Sequence, residues 1–264
     1  MLTIAAESLA PEKLFNFGPL PITNSMLLGL VSAVFVTIIF GLAAKASKLW
    51  PKSRFAYGVE SLVDVVDGLM IEGFGDKGKA RRHFPLLLCL LVFILVGNLS
   101  GLLPGIGTIT YGSGEEQVPL FRSWTTDLNS TLALAVLSLA TVHYYAVKEI
   151  GFRGYARHFF SGRLINPLTW FIGINELFSE ILRLVTLSLR LFGVIYGGET
   201  LLAAIASLAG NLGWAATLPI IFLEIFVSLI QAYLFMMLTS SYIVMATAHG
   251  AAEEHSTHPA EARA

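Results

Sequence analysis

The residues of this chain that could do chemistry are an arginine set in an apolar stretch and a few carboxylates spaced around it. Arg190 sits in Leu187-Ser188-Leu189-Arg190-Leu191-Phe192-Gly193, where an ionisable group is costly and marks a functional position by default. Arginine effectively cannot be deprotonated in a protein, so at such a depth it holds a fixed positive charge and cannot hand a proton on. The plain alternative is a side chain that snorkels to the interface or is paired for packing. With about 100° per helical residue, Glu176, Glu180, Arg183, Leu187, Arg190 and Val194 share one stripe, so two carboxylates and two arginines line one face.

Glu199 lies nine residues beyond Arg190, which is about 13 Å of helical rise and close to the opposite face, so the two are not expected to pair directly. In the last apolar segment Glu224, Ser228, Gln231, Phe235 and Tyr242 fall on one stripe. Glu199 and Glu224 lie 11 and 14 residues on either side of Gly210, so an antiparallel hairpin turning there brings them to similar depth. Carboxylates placed so can load and unload protons, which is what an aqueous proton path needs. The competing reading is a hydrogen-bonded structural pair. Gly193, Gly197 and Gly198 read as small residues for close helix packing.

These groups are held by a chain built for a bilayer. Hydrophobic residues make up 55% of its 264 residues and charged ones 13%, against roughly 25% charged in a soluble domain, and mean hydropathy is +0.71. Several spans of about 20 residues fit, with no stretch left for a separate soluble domain. Net charge is −1, so no basic field for nucleic acid exists and the basic residues read as topology signals. The single cysteine, Cys89, excludes an internal disulfide and a multi-cysteine metal site and reads as a small packed hydrophobe. No metal or organic cofactor is expected.

Residues 24–44 are uncharged and form the expected first span, with Asn24 as N-cap and Lys45 and Lys48 at its far end. It starts too far into the chain, without a basic flank, to read as a cleaved signal peptide. Over residues 55–74, Glu60, Asp64 and Asp67 fall on one helical face, and Val59, Leu62, Val63, Val66 and Met70 on the other, which predicts an amphipathic helix at the interface or on a partner. A second span is expected over 84–103, closed by Pro104-Gly105. A loop outside the membrane follows over 105–127, its Gly, Thr and Ser content marking it from Gly107 to Asp127.

A third span covers 128–147, in which the lone His143 reads as a satisfied interior histidine. Residues 167–209 and 212–248 flank Gly210-Asn211. Each is about 40 residues, roughly 60 Å as helix and twice the hydrocarbon thickness, and is either two short spans or one long tilted helix. Residues 249–264 form an inner tail, polar and disordered from Glu253 to Ala264. No internal repeat is visible, and the whole is one integral membrane domain.

Basic residues orient it. Lys45, Lys48, Lys52, Arg54, Lys77, Lys79, Arg81 and Arg82 join spans one and two, and Lys148, Arg153, Arg157 and Arg163 follow span three, whereas Lys13 and Arg122 are the basic residues of the opposite segments. Residues 1–23 are then outside and the C-terminus inside.

Leu187 to Glu199, reading LSLRLFGVIYGGE, resembles the signature of subunit a of F-type ATP synthases. Residues 97–105, GNLSGLLPG, resemble that family's NLxGLxPG stretch, Thr126-Asp127-Leu128-Asn129 its TxDLN entry to a helix, and Asn175-Glu176 its carboxylate ahead of the signature. Residues 231–239, QAYLFMMLT, resemble its QAxxFxxLT segment, and in order and spacing the match runs from about Met26 to Ala248.

The resemblance implies an all-α membrane protein of about five crossing helices plus one amphipathic interfacial helix, the last two long, tilted and forming a hairpin against a c-ring. It implies a stator subunit, not catalytic alone, that couples transmembrane H⁺ flow to ring rotation and ATP synthesis. Arg190 would be the essential stator charge facing the ring carboxylates. Glu199, Glu224, Gln231 and Asn129 would line the outer half-channel and Glu176 and Glu180 the inner, with Arg183, Ser228 and Tyr242 in support. Partners would be the c-ring, peripheral-stalk subunit b, against which residues 55–74 could rest, the rest of the complex and the lipid bilayer. The setting would be a bacterial inner membrane or, alternatively, a mitochondrial one.

Three positions depart from the family pattern. Val194 stands for an asparagine common after RLFG, Leu184 for a proline often found after Arg183, and Glu180 for a residue that is often histidine or another polar one. ATP chemistry would lie on other chains, because no GxxxxGK[ST] phosphate loop is present. The competing readings are a self-contained ion-coupled secondary transporter, which would need matching halves with broken helices, and a channel with gate and selectivity ring in one oligomer.

Overall fold

Apolar runs with few backbone breakers dictate helices, because in lipid every N–H and C=O must be satisfied within the segment. A computed structural model describes residues 11–17, 20–46, 54–103, 106, 109–111, 118–159 and 167–257. Among them are six helices: α1 (Asn24–Ala46), α2 (Arg54–Phe74), α3 (Lys77–Gly101), α4 (Leu128–Phe159), α5 (Pro167–Leu208) and α6 (Gly213–Thr257). All but α2 are long and apolar enough to cross a membrane, in keeping with the expected all-α membrane fold. Two small antiparallel hairpins add β1 (Lys13–Phe17) with β2 (Leu20–Thr23), and β3 (Thr110–Tyr111) with β4 (Val118–Pro119).

Local chemistry sets the ends. Thr23 Oγ1 accepts the Met26 N–H at 3.4 Å at the start of α1, while the side-chain amide of Asn24, expected as the cap, donates instead to the Pro119 carbonyl at 3.2 Å. Asp76 caps α3 by accepting the Gly78 N–H at 2.8 Å, so Lys77, Lys79, Arg81 and Arg82 form the first turns of that helix rather than a loop. α4 bends at Gly151, whose φ of 80° and ψ of 155° leave the helical region. Gly210, at φ 53°, supplies the left-handed residue that turns α5 into α6, a conformation costly for any residue with a Cβ. The turn is close: a Cβ on Gly213 would sit 2.9 Å from the Ala206 carbonyl oxygen.

α5 and α6 are each continuous, with 42 and 45 residues, about 63 and 68 Å. Both exceed the roughly 30 Å hydrocarbon core, so they must tilt or project from it. Residues 253–257, expected in a disordered tail, extend α6. The remainder of that tail, 258–264, lies outside the described residues, as do residues 1–10, Lys48, Lys52, Pro104-Gly105, Gly107 and Arg163.

The core joins Val66 and Met70 of α2, Leu87, Leu91 and Ile94 of α3, Ala135 of α4, Leu187, Leu191 and Ile195 of α5, and Phe235 and Met236 of α6. α2 buries Val66 and Met70 and leaves Glu60 and Asp64 exposed, though Leu62, expected on the apolar face, is exposed too. Side chains also bolt helix to helix across the apolar interior. Thr131 and Ser188 meet at 3.2 Å, Ser138 and Thr239 at 2.9 Å, and Asn98 Nδ2 donates to the Ser228 carbonyl at 3.4 Å. At the α2–α3 turn, buried His83 stacks on Phe74 and meets Tyr145 edge-on, with Glu149 3.7 Å away. Cys89, read as packed, is exposed on α3.

The loop before α4 does not stay outside the protein. Arg122 to Asp127 are all buried, and the 3₁₀ turn Trp124–Thr126 packs among α1, α3, α4 and α5. Asp127 accepts the Asn129 N–H at 3.0 Å, capping α4, and also accepts from Ser25 Oγ at 2.8 Å and Ser130 Oγ at 3.2 Å. Asp127→Ala should therefore remove a cap and the carboxylate acceptor of the buried Ser25 hydroxyl, which keeps Thr23 Oγ1 at 3.0 Å, a loss of about 1–3 kcal/mol. Lower recovery of the detergent-extracted complex checks this, and Asp127→Asn, which keeps an acceptor, should lose less.

Candidate functional site

The candidate residues divide over three places on α5 and α6. The first is an open face of α5. Arg190 is exposed, as are Gly193 and Gly197 one and two turns on. A Cβ added at either glycine would meet nothing within 4 Å. Among the described residues, these two glycines, read as packing glycines, have open space where a side chain would be. In its most apolar 18-residue stretch, α5 is 11% buried inside the chain against 44% for α3, and its exposed side chains include Leu182, Val185 and Leu189. A cation thus stands on an otherwise apolar face that the described residues leave uncovered.

The second place is the interior between α3, α5 and α6 near the hairpin turn. Gly198 does pack closely: a Cβ there would lie 2.6 Å from Glu224 Oε1. Glu199 turns toward the end of α3, where a Cβ on Gly101 would lie 2.8 Å from Glu199 Oε1 and 3.0 Å from Ser123 Cβ. Two carboxylates thus enter one region from opposite arms of the hairpin. Glu224 (4% exposed), Ser228 (0%) and Gln231 (4%) lie on the buried stripe of α6. Glu224 Oε2, Ser228 Oγ, Gln231 Nε2 and neighbouring Asn98 Oδ1 have no hydrogen-bond partner among protein atoms. A buried polar group left so costs about 1–3 kcal/mol, and such a row is retained where polar contents are needed. Asn129, expected beside this region, is exposed on the first turn of α4, and the buried carboxylate of its motif is that of Asp127.

The third place lies toward the start of α5. Glu180 Oε1 accepts from Arg183 Nη1 at 2.7 Å, and the Arg183 guanidinium stands 5.0 Å from the centre of the Tyr242 ring on α6. His143 Nε2 of α4 is 3.8 Å from Glu180 Oε2. His143, read as a satisfied interior histidine, is half-buried and has the Glu180 carboxylate as a partner at the edge of this charged cluster. Glu176, partly buried, is one turn earlier on the same stripe.

Among the described residues no group of His, Cys, Asp and Glu could hold a metal ion, and the three places together offer fixed charge, titratable acid and buried polar lining. A model of the ATP synthase A chain family matches residues 26–244. The chain belongs to the ATP synthase subunit a family. Its relatives include ATP synthase subunit a 2 of Bradyrhizobium sp. strain BTAi1, 34% identical over 87% of this chain and 91% of that protein. Subunit a of Moorella thermoacetica is 29% identical over 88% and 94%, and that of Desulfotalea psychrophila 36% over 72% and 70%. As a subunit a, the chain is a multi-pass membrane protein and a non-catalytic part of the proton-transporting ATP synthase, whose other subunits are its partners.

Two features of this subunit a escaped the sequence reading. Trp124, 4% exposed, stacks on Phe93 with ring centres 4.7 Å apart and fills the space beside Gly97 and Gly29. Ser123, next to it, donates to the Gly97 carbonyl at 3.2 Å and meets Thr125 at 2.8 Å. The available signal was a tryptophan beside the Thr-Thr-Asp cap, with a glycine in the facing helix. The other is His143, whose partner Glu180 is 37 residues away in sequence.

Proposed function

We propose that the α5–α6 hairpin lies against the ring of c subunits, with Arg190 facing the ring carboxylates between two proton half-channels. Glu199, Glu224, Ser228 and Gln231 line the outer half-channel and Glu176 and Glu180 the inner, with Arg183 and Tyr242 steadying Glu180. Asn129 stands at the outer rim. The observation that carries this reading is the exposure of Arg190 with Gly193 and Gly197 on the least enclosed helix, while the carboxylates of both arms turn inward.

The chemistry follows from charge. Arg190 favours the ionised form of an approaching ring carboxylate, which then releases its proton into one half-channel. Past the arginine the carboxylate reloads from the other half-channel, and only its neutral form enters lipid at acceptable cost. Ring rotation is thereby tied to net proton flow. Each proton crossing 100 mV contributes about 2.3 kcal/mol, so several drive one ATP. The basic segments place the C-terminus and the α2–α3 turn inside a bacterial inner membrane and the N-terminus outside. The acidic face of α2 at Glu60 and Asp64 is offered to the peripheral-stalk subunit b.

The test is proximity. With Cys89→Ser as background, Gly193→Cys or Gly197→Cys should cross-link to a cysteine placed near the carboxylate of the c subunit, and Leu30→Cys on α1 should not. Cross-linking from Leu30→Cys alone would sink the assignment of this face.

A further inference from the structure

His143 lies where three helices converge on Glu180, and the arrangement defines a donor and an acceptor. Arg183 occupies Glu180 Oε1 at 2.7 Å and is itself held over Tyr242. The other carboxylate oxygen, Oε2, is buried, makes no hydrogen bond, and points to His143 Nε2 at 3.8 Å. The Glu180 side chain is 14% exposed and that of His143 32%, so the imidazole stands on the more open side and the acid within.

Resting on the reading of Glu180 as an inner half-channel residue, we propose that His143 is a proton-relay residue of that half-channel, exchanging protons with Glu180 at its inner mouth. Imidazole is suited to this because it titrates near neutral pH without help. In the step, the imidazolium Nε2–H bond breaks and an O–H bond forms at Glu180 Oε2. Neutral imidazole then takes a proton from water, and the reverse sequence releases one. The 3.8 Å gap closes by a small side-chain rotation or through one water, the reach allowed to a working acid–base pair. Arg183, bonded to the acid and set over the tyrosine ring, orients Glu180, and as a guanidinium that stays protonated it cannot itself carry the proton.

Each helix at the pair brings charged or titratable groups. α5 brings Glu180 and Arg183, with Glu176 a turn away, and α6 brings Tyr242. On α4 itself, the Lys148 ammonium sits 5.9 Å from the Tyr144 ring centre and Glu149 is taken up by Arg82 and His83. Glu180 and Arg183 thus set two charges of opposite sign beside the imidazole. An imidazole relay also passes H⁺ and excludes Na⁺, so the path it serves is a proton path.

The experiment uses vesicles carrying the whole complex, scored for ATP-driven proton pumping and, after removal of the catalytic sector, for passive proton conduction. The inner-side pH is varied across about 5.5–8.5, the range of histidine titration. Wild type should show a step in conduction that follows inner-side pH. His143→Gln should erase that step and slow conduction by about 100-fold, the lower edge of acid–base contributions. Glu180→Gln should do the same, and the double variant should be no slower than the slower single, since both break one relay. Glu199→Gln should slow conduction but keep the step.

A His143→Gln complex that retains the step, or losses that add in the double variant, would overturn the relay. Should His143→Gln fail to assemble, Glu180→Gln alone decides, because retention of the step without the acceptor is equally fatal. Arg190→Ala in the same vesicles separates the two ideas. If it abolishes pumping while His143→Gln keeps the step, the stator reading stands and the relay falls. If Arg190→Ala pumps normally, both fall.

Discussion

Arg190→Ala should abolish ATP-driven proton pumping in vesicles while leaving the complex assembled. The residue is exposed on its own subunit, so its removal opens no cavity in the core and frees no buried partner. What is lost is the fixed charge, and removal of one preorganised charge-stabilising group costs on the order of 100-fold or more in rate. Here the loss should reach background, because without the cation a ring carboxylate has no reason to deprotonate between the half-channels. Passive proton leak through the same vesicles should rise if the guanidinium also separates the two water paths. Arg190→Lys, a compact ammonium without the planar fork, should keep assembly but restore little pumping. Normal pumping by Arg190→Ala would make the charge structural and end the turbine reading of this hairpin.

The second large effect is expected at a residue with no side chain to titrate. Gly97→Ala should cost about 1–3 kcal/mol or more, the range of overpacking in a well-filled interior, and reduce the yield of assembled complex. An added Cβ would collide with Trp124 Cζ2, Cε2 and Nε1. The indole is held in place: it is buried and stacked on Phe93, with Gly29 close by, where a Cβ would already be 3.4 Å from it. Displacing the turn would also move Ser123 from its place beside Glu199, so pumping per assembled complex should fall with yield. Gly41→Ala on α1, where a Cβ meets nothing within 4 Å, is the control and should be near neutral. Thermal inactivation of the purified complex checks both variants, and equal midpoints for Gly97→Ala and wild type would refute the wedge.

How the carboxylates and glycines are arranged shows where sequence reasoning stops. Helical periodicity put Glu224, Ser228, Gln231 and Phe235 on one stripe, and that stripe is the buried face of α6, because one apolar helix has a single way to turn its polar residues from lipid. The same periodicity says nothing about which neighbour a small residue meets. Of three glycines in one signature, Gly198 faces Glu224, while Gly193 and Gly197 face open space beside Arg190. Cys89 was misjudged for the same reason: whether a position on an apolar helix touches protein, lipid or partner depends on helices distant in sequence.

By itself the sequence determined the membrane class, the family through its ordered motifs, the α5–α6 reversal at Gly210, and the set of charged residues that an apolar chain would not keep without use. Those are local properties: hydropathy over about 20 residues, periods of 3.6 residues, and a glycine able to take positive φ. Only the tertiary structure decided that residues 122–127 tuck in among four helices, that Trp124 wedges against Gly97, that Glu224 rests on Gly198, and that His143 faces Glu180. Each is a contact between segments tens of residues apart, chosen by how ridges, small residues and polar groups fit together once the helices pack.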